Sequence, residues 1–213
     1  MLLDRVVRYF RSKRMRRFER AFGITGETRI LDVGGTALNW SLLSVRPRLT
    51  ICNMPRATES VEPGVIWISG DGRMLPFRSK SYDIVFSNSV IEHLRSRADQ
   101  QRFAQEIARV GIRYWVQTPN RWFPVEPHLL TPLLHFLPKS WQRKVASNFS
   151  IWAWIERPSP DRREFYVNHY LNDIRLLDAR ELTALFPGCA LIKERFLGWT
   201  KSLIAAGNAF TVG

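Results

Sequence analysis

The chain has 213 residues, of which 45% are hydrophobic and 24% are charged, as in ordinary globular proteins. This length favours one domain, and we expect a single domain over residues 1–213. The formal net charge of +13 attracts polyanionic partners such as nucleic acid, anionic lipid or acidic glycans, or it is only the solvated surface of an arginine-rich protein. The only cysteines, Cys52 and Cys189, exclude a disulfide framework and a zinc knuckle, and we expect two buried thiols in a reducing compartment.

The first 22 residues predict a basic amphipathic helix, because apolar residues recur at helical spacing among seven arginines and lysines between Arg5 and Arg17. Two interpretations stay open. The helix can lie on an anionic membrane surface, or it can pack on the edge of the domain with solvated arginines. No apolar run is long enough to cross a bilayer, and no signal peptide is evident. We therefore expect a cytoplasmic protein, with membrane contact only at the surface.

Strands and helical segments alternate over most of the chain. This order predicts a Rossmann-like α/β fold: a mostly parallel seven-stranded sheet with right-handed crossovers and helices on both faces. Asp178 is a candidate N-cap for the last helix. The predicted strands are 29–33, 49–53, 65–68, 81–87, 114–118, 191–196 and 202–206, and the predicted helices are 39–45, 98–110 and 178–186.

Residues 121–172 interrupt this alternation with several prolines and four of the eight tryptophans. We interpret the segment as a lid inserted over the open end of the sheet, with a helix somewhere within 129–145. An apolar lid would suit the prenyl or acyl chain of an acceptor molecule. The alternative is an ordinary lid whose tryptophans form a small core.

Ligands of open parallel sheets bind beyond the carboxyl ends of the strands. The residues that follow the predicted strands are small and polar, as a nucleoside pocket requires. Gly34 and Gly35 would let the backbone approach a ligand closely, because a Cβ there would intrude. The residues at the strand ends are Asp32, Gly34, Gly35 and Thr36, then Asn53, Asp71 and Gly72, then Ser87 and Asn88, and finally Thr118, Pro119 and Asn120.

Three polar side chains of this set have specific expected roles. Asn53 would bond ribose hydroxyls, and Asp71 would accept a hydrogen bond from an adenine amino group. Asp32 would either hold the loop or meet an ammonium group of the ligand. We expect Leu75 and Phe77 to cover the adenine faces. A P-loop is excluded, because the glycine bend lacks the Lys-Ser/Thr pair and the required spacing.

Four motifs resemble those of class I S-adenosylmethionine-dependent methyltransferases, nearest to the small enzymes that act on quinones, sterols, sugars and lipids. They are 31–36 (LDVGGT), 70–77 (GDGRMLPF), 81–93 (SYDIVFSNSVIEH) and 118–120 (TPN). The resemblance implies S-adenosylmethionine as cofactor and methyl transfer, at oxygen, to a small or lipid-linked acceptor. It implies that the cofactor is bound by Asp32, Gly34, Gly35, Thr36, Asn53, Asp71, Gly72, Arg73, Met74, Leu75, Ser87 and Asn88.

Two departures from the family pattern keep an alternative open. The family loop reads D-x-G-x-G-x-G, whereas Thr36 and Ala37 follow the two glycines here. The family also places an acidic residue where this chain has Asn53, and an amide lacks the strength of a charged acceptor. The alternative is a decayed methyltransferase scaffold that binds membrane or nucleic acid. An NAD-dependent oxidoreductase is disfavoured by the same glycine spacing.

Methyl transfer to oxygen usually needs a general base. We name His93, after the fourth strand, and His128, in the lid, as candidate catalytic residues, with Glu126 as a third candidate. Each histidine can equally be a packed, hydrogen-bonded residue. His169 would line the acceptor pocket or lie satisfied at the surface. We predict no metal site, because His128 and His135 suit one helix face but lack a third ligand.

Overall fold

A seven-stranded sheet forms the centre of the protein, in the order β3-β2-β1-β4-β5-β9-β8. The computed structural model describes residues 2–55 and 63–208, with side chains from residue 8 onward. The strands of this sheet are β1 Arg29–Val33, β2 Arg48–Asn53, β3 Val65–Ser69, β4 Tyr82–Asn88, β5 Gly111–Pro119, β8 Ala190–Phe196 and β9 Trp199–Gly207.

Strands β1 to β5 run parallel, and β9 is antiparallel to both β5 and β8. This topology confirms the predicted Rossmann-like α/β class. Strand order reverses between β1 and β4, which is where such sheets bind ligands. The six α-helices of the described residues are α1 Leu2–Phe22, α2 Arg97–Val110, α3 Lys139–Phe149, α4 Ile151–Glu156, α5 Pro160–Asp173 and α6 Ala179–Leu185.

Alternate residues of each strand enter two cores, one on each face of the sheet, because side chains alternate along a strand. On one face, Ile84 and Phe86 of β4 pack beside residues of α1. On the other, Val85 packs beside Phe103 of α2 and Leu182 of α6. The predicted N-cap is confirmed, because Asp178 and Glu181 form a reciprocal capping box at the start of α6.

The N-terminal helix packs on the sheet. Met15, Phe18 and Phe22 are buried in the core, and the Phe18 ring meets the rings of Phe86 and Trp115 edge-on. Of the two interpretations, the described part of α1 therefore supports the packed helix, since its apolar face is occupied. The side chains before Arg8 lie outside the described residues. None of the described helices is long and apolar enough to span a bilayer.

One predicted helix is of another type in the structure, and a second is present towards the end of its predicted range. The helix expected over 39–45 is a 3₁₀ helix over Ala37–Leu42, because Trp40 turns into the core and Pro47 disfavours helical backbone at the residue before it. The helix expected within 129–145 begins only at Lys139, directly after Pro138, which favours helix starts. The two-residue strands β6 Val125–Glu126 and β7 Thr131–Pro132 precede it.

The segment over 121–172 contains the β6–β7 pair and helices α3 to α5, around a small core of its own. Leu134, Ala146 and Val167 are buried there, with Trp152 partly buried against them. The other three tryptophans of the segment are exposed, so they do not form that core. Cys52 is buried as predicted, whereas Cys189 is only half-buried, and both thiols are free.

Candidate functional site

The glycine bend after β1 is braced from beneath by Asp32. Gly34 has a φ of +78°, which favours glycine, and a Cβ on Gly35 would fall on the Asp32 carboxylate. That carboxylate is fully buried and accepts a 2.8 Å hydrogen bond from Trp40 Nε1. Asp32 therefore lies directly beneath the bend, and its second oxygen, Oδ1, is buried with no hydrogen-bond partner among the described residues.

The loops after β1, β2 and β3 meet at the carboxyl edge of the sheet. Asn53 Nδ2 donates to Gly35 O at 3.1 Å, and Gly70 N donates to Asn53 O at 3.0 Å. A Cβ on Gly72 would lie 2.6 Å from the Phe103 ring and 3.0 Å from Val33, so the third loop folds back over β1. The predicted pocket residues of these three loops are thus brought together.

Asp71 lies at this junction and is paired with Arg73. Its carboxylate accepts hydrogen bonds from Arg73 Nη2 at 2.6 Å, Arg73 Nε at 3.0 Å and Arg73 N at 2.8 Å. The arginine holds the pKa of Asp71 below its usual value, so the carboxylate stays ionised. Arg73 Nε also lies 3.0 Å from the second carboxylate oxygen, so Arg73 makes four contacts to a group with about four acceptor positions, and an adenine amino group would have to share one of them.

The apolar residues of the third loop differ from expectation. Leu75 is buried in the core beside Cys52 and cannot cover a ligand, whereas Met74 is 78% exposed. Phe77 packs edge-on against Tyr82. The reason is the turn itself, in which Met74 N donates to Asp71 O and directs the next side chain inward. Thr36, of the first loop, is exposed.

At the end of β4, both predicted residues are engaged within the protein. The buried Ser87 hydroxyl donates to Val33 O at 3.0 Å and ties β4 to β1. Asn88 Oδ1 accepts a hydrogen bond from Arg14 of α1. Arg14 is buried and forms a two-bond ion pair with Glu194 of β8, at 2.8 and 2.6 Å. Sequence reasoning placed this arginine among the solvated ones.

Three histidines gather beside the carboxyl ends of β4 and β5. His93 lies in a 3₁₀ turn after β4, His128 lies between β6 and β7, and His169 lies on α5. The His93 ring is 5.3 Å from the His128 ring and stacks on the His169 ring at 5.6 Å. Both candidate catalytic histidines are therefore in one cluster, together with the candidate acceptor-pocket residue. His135 lies outside these ring contacts, and its ring packs at a tilt against that of Phe136.

A buried carboxylate orients His128. Glu126 is fully buried, and its Oε1 lies 2.6 Å from His128 Nδ1. Glu126 also accepts hydrogen bonds from the backbone N–H groups of His128 and Leu129. Burial alone would lower the pKa of His128, but the hydrogen bond and charge of Glu126, with the charge of Glu92, raise it above its usual value.

Glu92 is a second buried carboxylate of the cluster, which the sequence analysis did not single out. Its Oε2 accepts a 3.0 Å hydrogen bond from Thr118 Oγ1, and its Oε1 has no hydrogen-bond partner among the described residues. Burial raises the pKa of Glu92 to about 7. Burial, with the neighbouring histidines, lowers the pKa of His93 to about 4, so His93 is neutral at pH 7.

The same groups have the chemistry of a divalent-cation site. Glu92, His93 and His128 each offer one ligand atom, and these atoms lie within 4.8 Å of one another. Two histidines and one carboxylate are a known zinc ligand set. They are also a proton-transfer set, because His128 is oriented by Glu126 in the manner of a general base.

One family model matches part of the chain. Residues 44–113, about a third of the chain, match the model described as a methyltransferase domain. The match agrees with the predicted class, an S-adenosylmethionine-dependent methyltransferase. No curated protein matches this sequence.

Solved structures share the fold at low sequence identity. PigF, solved with SAH, is 13% identical with a TM-score of 0.53, and the alignment covers 91% of this chain and 60% of that chain. Phosphoethanolamine N-methyltransferase 2 of Haemonchus contortus is 13% identical with a TM-score of 0.52, covering 85% of this chain and 38% of that chain. A Rhodobacter sphaeroides protein described as a zinc-dependent alcohol dehydrogenase is 10% identical with a TM-score of 0.56. The alignment covers 92% of this chain and 90% of that chain.

The bracing of the glycine bend predicts the effect of one added methyl group. Gly35→Ala should destabilise the protein by about 1–3 kcal/mol, because its Cβ would overlap the buried Asp32 carboxylate. Gly26→Ala is the matched control, since its Cβ would meet only Arg46 O at 3.7 Å. Urea unfolding of both variants measures the difference. Equal midpoints for Gly35→Ala and wild type would show that Asp32 does not lie beneath the bend.

The buried Asp32 predicts a pH-dependent stability. Burial raises its pKa from 3.8 to about 7, so the unfolded chain holds fewer protons at this site between those values. The contribution of Asp32 to stability is therefore present below pH 4 and is lost as pH rises to 7. The free energy of unfolding of Asp32→Asn should equal that of wild type near pH 4. Between pH 4 and pH 7 it should exceed the wild-type value by up to about 1.4 kcal/mol for each pH unit. An unfolding free-energy difference independent of pH would contradict this pKa.

Proposed function

We propose that this enzyme transfers the methyl group of S-adenosylmethionine to an oxygen of a small or lipid-linked acceptor. The observation that carries the proposal is the pairing of His128 Nδ1 with the buried Glu126 carboxylate at 2.6 Å, beside the strand ends of a methyltransferase fold. A histidine whose pKa is raised by a buried carboxylate is a stronger base, which suits removal of a proton from a hydroxyl group.

The adenosyl group would lie over the junction of the first three loops. The Gly34-Gly35 bend allows close approach of the backbone, Asn53 faces the ribose, and Asp71 faces the adenine amino group. Asn53 already uses its amide on Gly35 O and its carbonyl on Met54 N. Its remaining acceptor position can take one ribose hydroxyl, in agreement with the weaker bonding expected of an amide.

The chemical step is an in-line displacement at the methyl carbon. The acceptor oxygen forms a bond to this carbon while the carbon–sulfur bond breaks, and S-adenosylhomocysteine leaves. The acceptor proton passes to His128, and Glu126 stabilises the imidazolium that results. Binding both molecules in line and excluding water supplies most of the rate acceleration. Neutral His93 and the fully buried Glu92 border the acceptor position.

Isothermal calorimetry tests the cofactor assignment. The full chain should bind S-adenosylmethionine and S-adenosylhomocysteine. Asp71→Ala should weaken binding by about 1.5–3 kcal/mol, the value of a hydrogen bond to a charged group. Asp83→Ala is the matched control, because Asp83 pairs with Arg29 at the opposite edge of the sheet. Loss of binding in the control alone, or unchanged binding in Asp71→Ala, would contradict the adenine assignment.

A decayed scaffold is the competing function, and the shortened 3₁₀ helix after the glycine bend favours it. Such a scaffold would bind neither S-adenosylmethionine nor S-adenosylhomocysteine in the same titrations. Nucleic-acid binding would then weaken steeply with salt, because each phosphate contact releases counterions.

A further inference from the structure

A groove on the inserted segment, far from the glycine bend in sequence, has an unusual lining. It holds about 440 Å³ and is lined by the apolar side chains of Phe149, Ile151 and Trp154, together with Arg163. Phe149 is 75% exposed and Trp154 is 78% exposed. Large aromatic side chains at such exposure mark a surface that contacts another apolar phase.

Helix α4, which forms one wall of this groove, has no buried residue. Its sequence over Ile151–Glu156 is almost entirely apolar, so most of its apolar surface is directed away from the protein. Trp152 is the residue of this helix that packs against the core of the segment, whereas Ile151, Trp154 and Ile155 are exposed. An apolar environment outside the chain would bury them.

One nitrogen of the arginine in the groove has no partner in the described part of the chain. Nε of Arg163 is buried and has no hydrogen-bond partner among the described residues. A buried donor without a partner is rare in folded proteins and costs free energy. An anionic oxygen bound in the groove would satisfy it.

The stretch of chain that forms the groove has a net positive charge. Residues 139–164 contain six lysines and arginines and three acidic residues, and the acidic residues are Glu156, Asp161 and Glu164. The cations are Lys139, Arg143, Lys144, Arg157, Arg162 and Arg163. Tryptophan beside basic residues is typical of surfaces that lie at the headgroup level of a bilayer.

We propose that this groove docks on an anionic phospholipid bilayer. Arg163 bonds a lipid phosphate, while Phe149 and Trp154 enter the boundary between headgroups and acyl chains. The surrounding cations add attraction to anionic lipids, at roughly fivefold in affinity for each well-placed charge. The proposal is independent of methyl transfer, and it places the membrane contact on α3 to α5 and not on α1.

Vesicle co-sedimentation of the full chain tests it, with phosphatidylcholine vesicles and with vesicles that also contain phosphatidylglycerol. The wild type should bind the anionic vesicles and only weakly the neutral ones. Trp154→Ser and Phe149→Ser should each weaken binding by about tenfold, because an exposed aromatic anchor is lost. Arg163→Gln should reduce the preference for anionic vesicles by about fivefold.

Two matched controls separate this surface from others. Trp199→Ser removes a tryptophan that is 58% exposed on β9, and Arg20→Gln removes an exposed charge of α1. Both should bind as wild type does. The proposal is overturned if wild type fails to bind anionic vesicles, or if the controls lose as much binding as the groove variants. Circular dichroism verifies that each variant is folded, and S-adenosylmethionine binding is measured separately.

Discussion

Arg14→Ala should destabilise the protein by about 3–5 kcal/mol. Removing one partner of a buried ion pair leaves the other charge uncompensated, which is among the most costly single changes. Arg14 and Glu194 have side-chain exposures of 9% and 12%, and their pair joins α1 to β8. The same guanidinium bonds Asn88 and Gln117, so the variant also leaves those amides without this donor. Thermal and urea unfolding measure the loss.

The exposed pair of Arg48 and Glu27 is the matched control. Their side chains are 65% and 80% exposed, and Arg48→Ala should change stability by less than about 1 kcal/mol. The double variant Arg14→Met/Glu194→Met should recover part of the loss, because two apolar side chains of similar volume remove both charges. If Arg14→Ala were as stable as the control variant, α1 would not be held to the sheet through this pair.

Glu126→Ala should also destabilise the protein by about 3–5 kcal/mol, because it removes a buried carboxylate and leaves its partner His128 unpaired. Its carboxylate accepts bonds from the backbone of His128 and Leu129 and from the His128 ring. The variant leaves these donors inside the segment without an acceptor. Glu164→Ala, an exposed change on α5, is the control.

Glu126→Gln removes the negative charge and keeps the size of the side chain, so it tests the charge alone. Without the charge, the pKa of His128 should fall from its raised wild-type value, because burial, which lowers it, is then opposed only by the charge of Glu92. A raised pKa in the folded state stabilises the protein below pH 6.5, and this contribution is lost as pH rises through the folded value. Glu126→Gln should therefore cost more stability at acidic pH than at pH 9. NMR titration of the histidine ring protons measures the pKa, and an unchanged value would remove Glu126 as the orienting partner.

The strands could be predicted from the sequence because each is a short apolar run that ends in small polar residues. β1, with Ile30 and Leu31 before Gly34, is the clearest case. The helix after the glycine bend could not be predicted, because its length depends on Trp40, whose indole bonds Asp32 in the core. Local pattern carries no information about such a tertiary contact.

In the candidate site too, some residues could be predicted from the sequence and others could not. The glycine bend, Asn53 and Asp71 follow strands directly, so their position at one edge was predictable. The roles of Arg14 and Glu92 were not, because burial and pairing join residues far apart in the chain. Arg14 has the same sequence signature as its exposed neighbours on α1, and only packing distinguishes it. Glu92 offered one signal, its place directly before His93 after a buried strand.

The central claim is that the loops after β1, β2 and β3 form a pocket for an adenosyl group. A crystal structure of the full chain with S-adenosylhomocysteine tests it most directly. We expect the adenosyl group over the Gly34-Gly35 bend, with the ribose beside Asn53, the adenine amino group within hydrogen-bond distance of Asp71, and the sulfur facing the cluster of His93 and His128. Ligand bound elsewhere, or an adenine that leaves the Asp71 carboxylate untouched, would contradict the account.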